Sequence, residues 1–163
     1  MKDKIVVLGL GNILNRDEGA GVYALRKLEA IMPEDWKQRV ELIEGGVLGL
    51  DLLPYVEKAS RLLILDAVEA GGNPGEMVEF KNKEINTFFA GKISWHQLGF
   101  QEVLEVARVR GKYPEEVLLI GVIPGAIGIG LSLSRAVEKT AGRMAGRALE
   151  VLSGWLISTA DKA

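Results

Sequence analysis

Short apolar runs of strand length alternate along the chain with stretches in which apolar residues recur every three or four positions. The apolar runs occupy residues 5–8, 40–43, 62–65 and 117–123. A strand covered on both faces is apolar throughout, whereas the helix that covers it is apolar on one face only. The alternation therefore predicts an α/β layered fold with a largely parallel sheet.

The helical stretches have recognisable limits. The spacing predicts helices over residues 22–32, 48–56, 98–110 and 134–156. A further short strand over residues 76–80 follows a turn signal, and we place it at a sheet edge, where antiparallel pairing is possible.

The chain contains no cysteine and only one histidine among 163 residues. A disulfide framework, a cysteine zinc site, an iron-sulfur cluster and a thiol nucleophile are therefore excluded for this chain alone. Any mechanism that needs a protein imidazole has only His96. The length suits one domain, and because no linker or repeat divides the chain, we predict a single domain over residues 1–163.

The charge balance argues against two classes of partner. The net charge is −2, so the chain lacks the basic excess that binds phosphate backbones, and we expect no nucleic acid partner. No apolar stretch reaches the roughly 18 residues of a membrane span. The charged start is followed by a short apolar run without a cleavage pattern, so we expect no membrane association and a cytoplasmic location.

A glycine-rich turn, Gly-Leu-Gly-Asn at residues 9–12, follows the first predicted strand. Glycines in this place let the backbone of dinucleotide-binding folds approach a pyrophosphate. Here Leu14 occupies the position of the third glycine, and Glu44 lies too far along the chain to be the acid that binds the ribose. The sequence of this turn therefore argues against a nucleotide-binding site.

Two carboxylates follow predicted strands, at the sheet edge where open α/β folds bind ligands. Glu18 comes three residues after Asn15, and the pair has the capping-box pattern, which favours a structural role for Glu18 on this motif alone. Asp66 directly follows the most apolar run, where a charge needs hydrogen bonds or a cation. A structural role and a cation-binding role both stay open for Asp66.

The single histidine lies just before the helix predicted from residue 98, at the end of a stretch, 82–97, that has no clear pattern. A lone histidine is usually structural or solvated. Two carboxylates and one imidazole would, however, form a mixed donor set that suits zinc or nickel and leaves positions open for water or substrate. Glu18, Asp66 and His96 are too far apart for a local motif, so only the fold can bring them together.

The last predicted helix and the loop before it have three further features. A basic residue recurs at every fourth position, which is typical of a solvated helix face: Arg135, Lys139, Arg143 and Arg147. Gly142 and Gly146 are predicted to permit close packing. The loop over residues 125–130 is unusually poor in polar residues.

Several short motifs, taken together, resemble the hydrogenase maturation proteases, and the match runs in order from about residue 4 to about residue 152. The most specific are a GxGN segment followed after four residues by Asp-Glu, and a Ser-x-His-Gln element. The motifs are VLGLGNIL at 7–14, DEG at 17–19, EGG at 44–46, LDA at 65–67, SWHQL at 94–98 and GVIP at 121–124.

The resemblance implies a three-layer α/β/α sandwich with a mostly parallel twisted sheet of about five strands. It also implies an endopeptidase that removes the C-terminal extension of a nickel-iron hydrogenase large-subunit precursor after nickel insertion. The family's metal-contacting residues fall on Glu18, Asp66 and His96, the expected catalytic and metal-binding residues. The nickel is expected to come with the precursor, and zinc or cadmium to substitute for it in vitro. The precursor is the expected partner of a monomer or weak oligomer.

Four other positions are expected to bind or support the substrate: Asn12, Glu44, Gly45 and Gly46. The paired glycines also predict a turn after the second strand. The family usually has aspartate where this chain has Glu44, so the carboxylate here reaches one methylene further.

Two other functions stay open as alternatives. A non-enzymatic nickel chaperone could use the same three ligands, but it would leave the length of the precursor unchanged. A peptidyl-tRNA hydrolase also begins with Gly-Leu-Gly-Asn, but that family continues with Pro-Gly and a later Thr-Arg-His-Asn element. This chain has Ile13 and Leu14 after Asn12 and lacks the second element, so the hydrolase is the more distant alternative.

Overall fold

A computed structural model describes residues 4–90 and 95–161, with side chains described within residues 4–86 and 99–161. The strands are β1 (Lys4–Leu10), β2 (Val40–Gly46), β3 (Ala59–Ala67), β4 (Met77–Lys81) and β5 (Glu116–Val122). The α-helices are α1 (Ala20–Ile31), α2 (Leu53–Lys58), α3 (Lys83–Ala90), α4 (Trp95–Val109) and α5 (Arg135–Ala160). Short 3-10 helices cover Arg16–Gly19, Glu34–Gln38 and Gly49–Leu52.

The five strands form one sheet in the order β2-β1-β3-β5-β4. The pairs β1-β2, β1-β3 and β3-β5 are parallel, and β4 pairs with β5 in the antiparallel sense at the edge. All nine residues of β3 are buried, as expected for a strand covered on both faces. The predicted α/β fold, its mostly parallel sheet and the edge position of the short strand are therefore confirmed.

Helices cover both faces of the sheet and make three layers. Side chains such as Leu63 and Leu65 of β3 point to the face that packs against α1 and α5. Their neighbours Leu62 and Ile64 point to the opposite face, which packs against α2, α3 and α4. This division follows from the alternation of side chains along a strand. No helix in the described part of the chain is long and apolar enough to cross a membrane.

Several predicted boundaries are wrong. The helix predicted over residues 48–56 is a 3-10 helix over Gly49–Leu52 followed by α2. Three other differences concern candidate site residues. The paired glycines predicted as a turn lie inside β2, because Gly46 pairs with Leu10 where the register of β1 shifts. Asp66 does not follow β3 but lies within it, since the pairing with β5 continues through Asp66 and Ala67. Helix α4 begins at Trp95 rather than at residue 98.

The glycines of the long C-terminal helix do not permit close packing, contrary to the prediction. A Cβ atom added to Gly142 or Gly146 would meet no atom within 4 Å, so both positions border open space. The close approach of a helix to the sheet occurs instead at α1, through Gly21.

Candidate functional site

The loops after β1, β2 and β5 all leave the sheet on the side where the carboxyl ends of its strands lie, because these strands are parallel. At this edge the chain turns sharply at Gly11, whose φ of 108° lies in a region that favours glycine. The Gly11 N–H donates to the Gly46 carbonyl at 2.9 Å, which joins the loop after β1 to the end of β2. Gly46 itself has a φ of 50°, so two glycines shape this junction.

Helix α1 lies directly on the carboxyl ends of the two central strands. A Cβ atom added to Gly21 would overlap the Leu65 carbonyl oxygen of β3 and lie 2.5 Å from the Leu10 carbonyl oxygen of β1. On the strand side, a Cβ atom added to Gly9 would lie 2.8 Å from the Gly21 carbonyl oxygen. Glycine at both positions therefore lets the start of α1, and the 3-10 turn before it, sit against the strand ends.

Glu18 lies in that 3-10 turn and is partly buried. The predicted capping box does not form, because Asn15 makes no side-chain bond to the helix backbone and α1 begins two residues after Glu18. Instead, the Asn15 side-chain amide donates to the Glu18 carboxylate at 2.6 Å. The contact orients the carboxylate of Glu18 rather than closing the end of a helix.

Asp66 is 1% exposed, and its Oδ1 accepts a hydrogen bond from the Ala67 N–H at 2.8 Å. The Glu18 backbone and the Asp66 carboxylate both lie close to Gly11. A Cβ atom added to Gly11 would overlap the Glu18 carbonyl oxygen and lie 3.5 Å from Asp66 Oδ1. The structure thus brings the backbone of Glu18 close to the carboxylate of Asp66, at the carboxyl ends of β1 and β3.

The backbone of His96 lies in the first turn of α4, not in a loop as predicted. Its side chain lies outside the described residues. Three residues further along α4, Gly99 borders a cavity together with Leu10 and Gly46. The beginning of α4 therefore lies near the end of β1, at the same edge of the sheet as the two carboxylates.

The donor chemistry at this edge suits a borderline divalent cation. Carboxylate oxygen and imidazole nitrogen are both ligands of zinc and nickel. Within the part of the chain that has described side chains, no group of three or more histidine, aspartate or glutamate residues is arranged so that it could hold a metal ion. The assignment of Glu18, Asp66 and His96 as ligands of one cation stays a prediction.

The four predicted supporting positions surround the same junction. The Asn12 Oδ1 accepts from the Leu14 N–H at 2.9 Å and so shapes the loop after β1. A Cβ atom on Gly45 would lie 2.8 Å from the Leu10 side chain, and the Gly46 carbonyl accepts a hydrogen bond from the Gly11 N–H. Both glycines therefore have a structural role in the junction between β2 and the loop after β1. Asn12 and Gly46 also border one open pocket with Glu44.

The longer carboxylate at position 44 binds a neighbouring helix. Arg26 of α1 contacts the two Glu44 oxygens at 2.6 and 3.2 Å, with both side chains about half exposed. The hydrogen bond from Arg26 lowers the pKa of Glu44, and the same pair raises the pKa of Arg26. The ion pair connects the end of β2 to α1, and whether Glu44 also contacts a substrate stays a prediction.

Asp17 is the residue of this site that the sequence analysis missed. Its fully buried carboxylate accepts four hydrogen bonds: from the N–H groups of Gly125, Ala126 and Ser134 and from the Ser134 hydroxyl, at 2.6 to 2.9 Å. Burial raises the pKa of Asp17, but these hydrogen bonds outweigh burial and leave the pKa below its ordinary value. Asp17 therefore binds the loop after β5 to the turn that carries Glu18.

Replacing Asp17 with asparagine is expected to destabilise the protein by about 2 kcal/mol. One oxygen of the amide can still accept, but its NH2 group then faces backbone donors in a buried place. Urea unfolding followed by circular dichroism measures the change, with the exposed Asp35→Asn as the control. Because the pKa of Asp17 is lowered, the difference from wild type is present above the ordinary aspartate pKa and is lost as the pH falls through the lowered value. Equal stability of the two variants near neutral pH would contradict the anchoring role.

Comparisons with known proteins give a consistent result. A family model described as "Hydrogenase maturation protease" matches residues 22–151. The chain is 37% identical over 153 residues to the hydrogenase expression/formation protein HoxM of Cupriavidus necator, covering 93% of this chain and 75% of that protein. It is 38% identical over 138 residues to the hydrogenase 2 maturation protease of Escherichia coli, covering 83% and 82%.

A solved structure shows the same arrangement of elements. The hydrogenase maturating endopeptidase HybD from E. coli superposes with a TM-score of 0.85 and 36% identity over 93% of each chain. Several other curated relatives are longer, and the match spans between 54% and 63% of their length.

Proposed function

Because the chain belongs to the hydrogenase maturation protease family, whose members are peptidases, we propose that it removes the C-terminal extension of a nickel-iron hydrogenase large-subunit precursor. We propose further that Glu18, Asp66 and His96 contact the nickel already bound in that precursor. The metal then belongs to the substrate, and its presence signals that the precursor is ready to be cleaved.

The observation that carries this proposal is that the turn bearing Glu18 lies close to the Asp66 carboxylate at Gly11. Two carboxylates at one strand edge favour a cation over an anionic substrate, because like charges repel. Glycine at position 11 lets the Glu18 carbonyl pack against the loop after β1, beside Asp66 Oδ1, where any side chain would clash. The position is also where parallel α/β sheets bind ligands.

The surroundings of each carboxylate suit the proposed role. Asp66 lies in the central strand, where its pairing with Gly121 limits movement, and its Oδ1 is oriented by the Ala67 N–H. Glu18 lies on a short turn and is oriented by Asn15. When bound, nickel supplies a Lewis acid that can polarise the scissile carbonyl or activate water. The residues of this chain would hold that metal in a fixed place relative to the cleaved bond.

Incubation of the protein with nickel-loaded and nickel-free precursor tests the proposal. We expect the loaded precursor to be shortened faster by roughly tenfold or more, the factor that 1.4 kcal/mol of differential interaction produces. Electrophoresis and mass measurement of the products give the rates and the released peptide. Equal cleavage of both forms would contradict nickel recognition but retain the protease. Binding of the loaded precursor without any shortening would instead support a nickel chaperone.

A further inference from the structure

Large apolar side chains at half exposure or more are concentrated at the edge that carries the candidate site. Among the described residues, seven of ten such side chains lie on the loops after β1, β2 and β5. Leu14 lies on the first of these loops, and Ile127, Ile129 and Leu131 lie on the third. Exposed apolar groups that cluster in this way mark surfaces that bind other molecules.

The first and third loops form one continuous surface. The Gly130 N–H donates to the Leu14 carbonyl at 2.8 Å, and the Arg16 N–H donates to the Gly130 carbonyl at 3.0 Å. These bonds place Leu14 beside the segment that carries Ile129 and Leu131. We call these three residues, with Ile127, the apolar rim.

The apolar rim is held in place by buried contacts. Asp17 binds the N–H groups of Gly125 and Ala126 at the beginning of the third loop and Ser134 at its end. The Tyr23 hydroxyl of α1 donates to the Leu131 carbonyl at 2.5 Å. Ile129 is 97% exposed on this hydrogen-bonded loop. A surface that is ordered before binding loses less entropy on binding.

Chemistry and position together indicate what the apolar rim binds. Residues 125–134 contain no charged side chain, and the neighbouring Arg16 directs its Nε to the Ser132 carbonyl at 3.2 Å, so the side chains of the rim itself suit an uncharged, apolar polypeptide segment. The segment 14–18 has Leu14 at one end and Glu18 at the other, and four residues span at most about 14 Å. A polypeptide bound at Glu18 is therefore within about 14 Å of Leu14, one end of the apolar rim.

We propose that the apolar rim binds an uncharged, apolar stretch of the precursor polypeptide near the bond to be cleaved. This inference rests on the proposed function and adds to it a substrate preference, carried by Leu14, Ile127, Ile129 and Leu131. The rim binds the substrate chain, while Glu18 and Asp66 contact its metal.

The double variant Ile129→Ser/Leu131→Ser tests the apolar rim. Its matched control is Val109→Ser/Ile157→Ser, which removes two similarly exposed side chains at the far ends of α4 and α5. We expect the rim variant to raise the KM for nickel-loaded precursor about tenfold with kcat unchanged, and the control to leave both unchanged. Ile129→Leu/Leu131→Ile should restore the wild-type KM. Equal thermal unfolding midpoints of all variants establish that the fold is intact.

Direct binding separates failure of this inference from failure of the proposed function. If wild type cleaves no precursor, the proposed function fails, and the affinity of each variant for the precursor still tests the rim. Equal affinity of the rim and control variants overturns the inference. Sedimentation velocity that shows wild-type dimers lost in the rim variant would assign the surface to a second copy of the chain. Co-sedimentation with anionic phospholipid vesicles, lost in the rim variant, would assign it to a membrane, and either result overturns the inference.

Discussion

Asp66→Asn is expected to abolish processing of the nickel-loaded precursor while the fold is retained. The substitution keeps the size of the side chain and one oxygen that can accept the Ala67 N–H. It removes the negative charge that would bind a cation, and a neutral amide is a much weaker ligand. We expect the rate to fall at least about 100-fold, the factor that about 2.7 kcal/mol of lost interaction produces.

Timed electrophoresis of the precursor measures this loss. Glu18→Gln and His96→Ala should show the same behaviour, whereas the exposed Asp35→Asn should process at the wild-type rate. Circular dichroism of each variant verifies that it is folded. Wild-type processing by Asp66→Asn would remove Asp66 from the site, and wild-type processing by His96→Ala would remove the histidine.

Gly21→Ala is expected to destabilise the protein by about 3 kcal/mol, at the upper end of ordinary overpacking. The added methyl would overlap the Leu65 carbonyl oxygen and lie 2.5 Å from that of Leu10, and both belong to buried central strands. Because these strands are hydrogen-bonded on both sides, the sheet cannot move to make room for the methyl group. Helix α1 must therefore shift away from the sheet. Since Glu18 lies directly before α1, we expect processing to fall as well.

A matched substitution in another helix separates packing from helix propensity. Gly142→Ala adds the same methyl to α5, where no atom lies within 4 Å, so it should stabilise the protein by about 1 kcal/mol. Chemical denaturation gives both free energies of unfolding. If Gly21→Ala stabilised the protein as much as Gly142→Ala does, the close approach of α1 to the sheet would be wrong.

Periodicity was sufficient to predict the layers of the fold. The uniformly apolar run at residues 62–65 indicated a central strand, and this run lies in β3 with both neighbours parallel. The candidacy of Glu18 and Asp66 followed from their places after apolar runs, since strand ends gather at one edge of a parallel sheet. The role of Asp17 could not be predicted, because its partners lie 108 to 117 residues away in the chain.

Local motifs were less informative where tertiary contacts compete with them. The capping-box pattern of Asn15 and Glu18 suggested a helix end, but the helix begins later and the two side chains bind each other. Gly142 and Gly146 suggested close packing, but nothing lies against them. In both cases the sequence pattern is present, but the packing of neighbouring elements determines which contacts its residues make.

The sequence by itself determined the α/β layering and the available chemistry: one imidazole, no thiol, and carboxylates after apolar runs. These properties depend on residue type and on spacing within a single element. Only the tertiary structure decided that the Glu18 backbone lies close to the Asp66 carboxylate at Gly11 and that Asp17 holds the loop after β5. Such contacts depend on how closely distant elements pack, here on the missing side chain of Gly21, which lets α1 rest on the ends of β1 and β3.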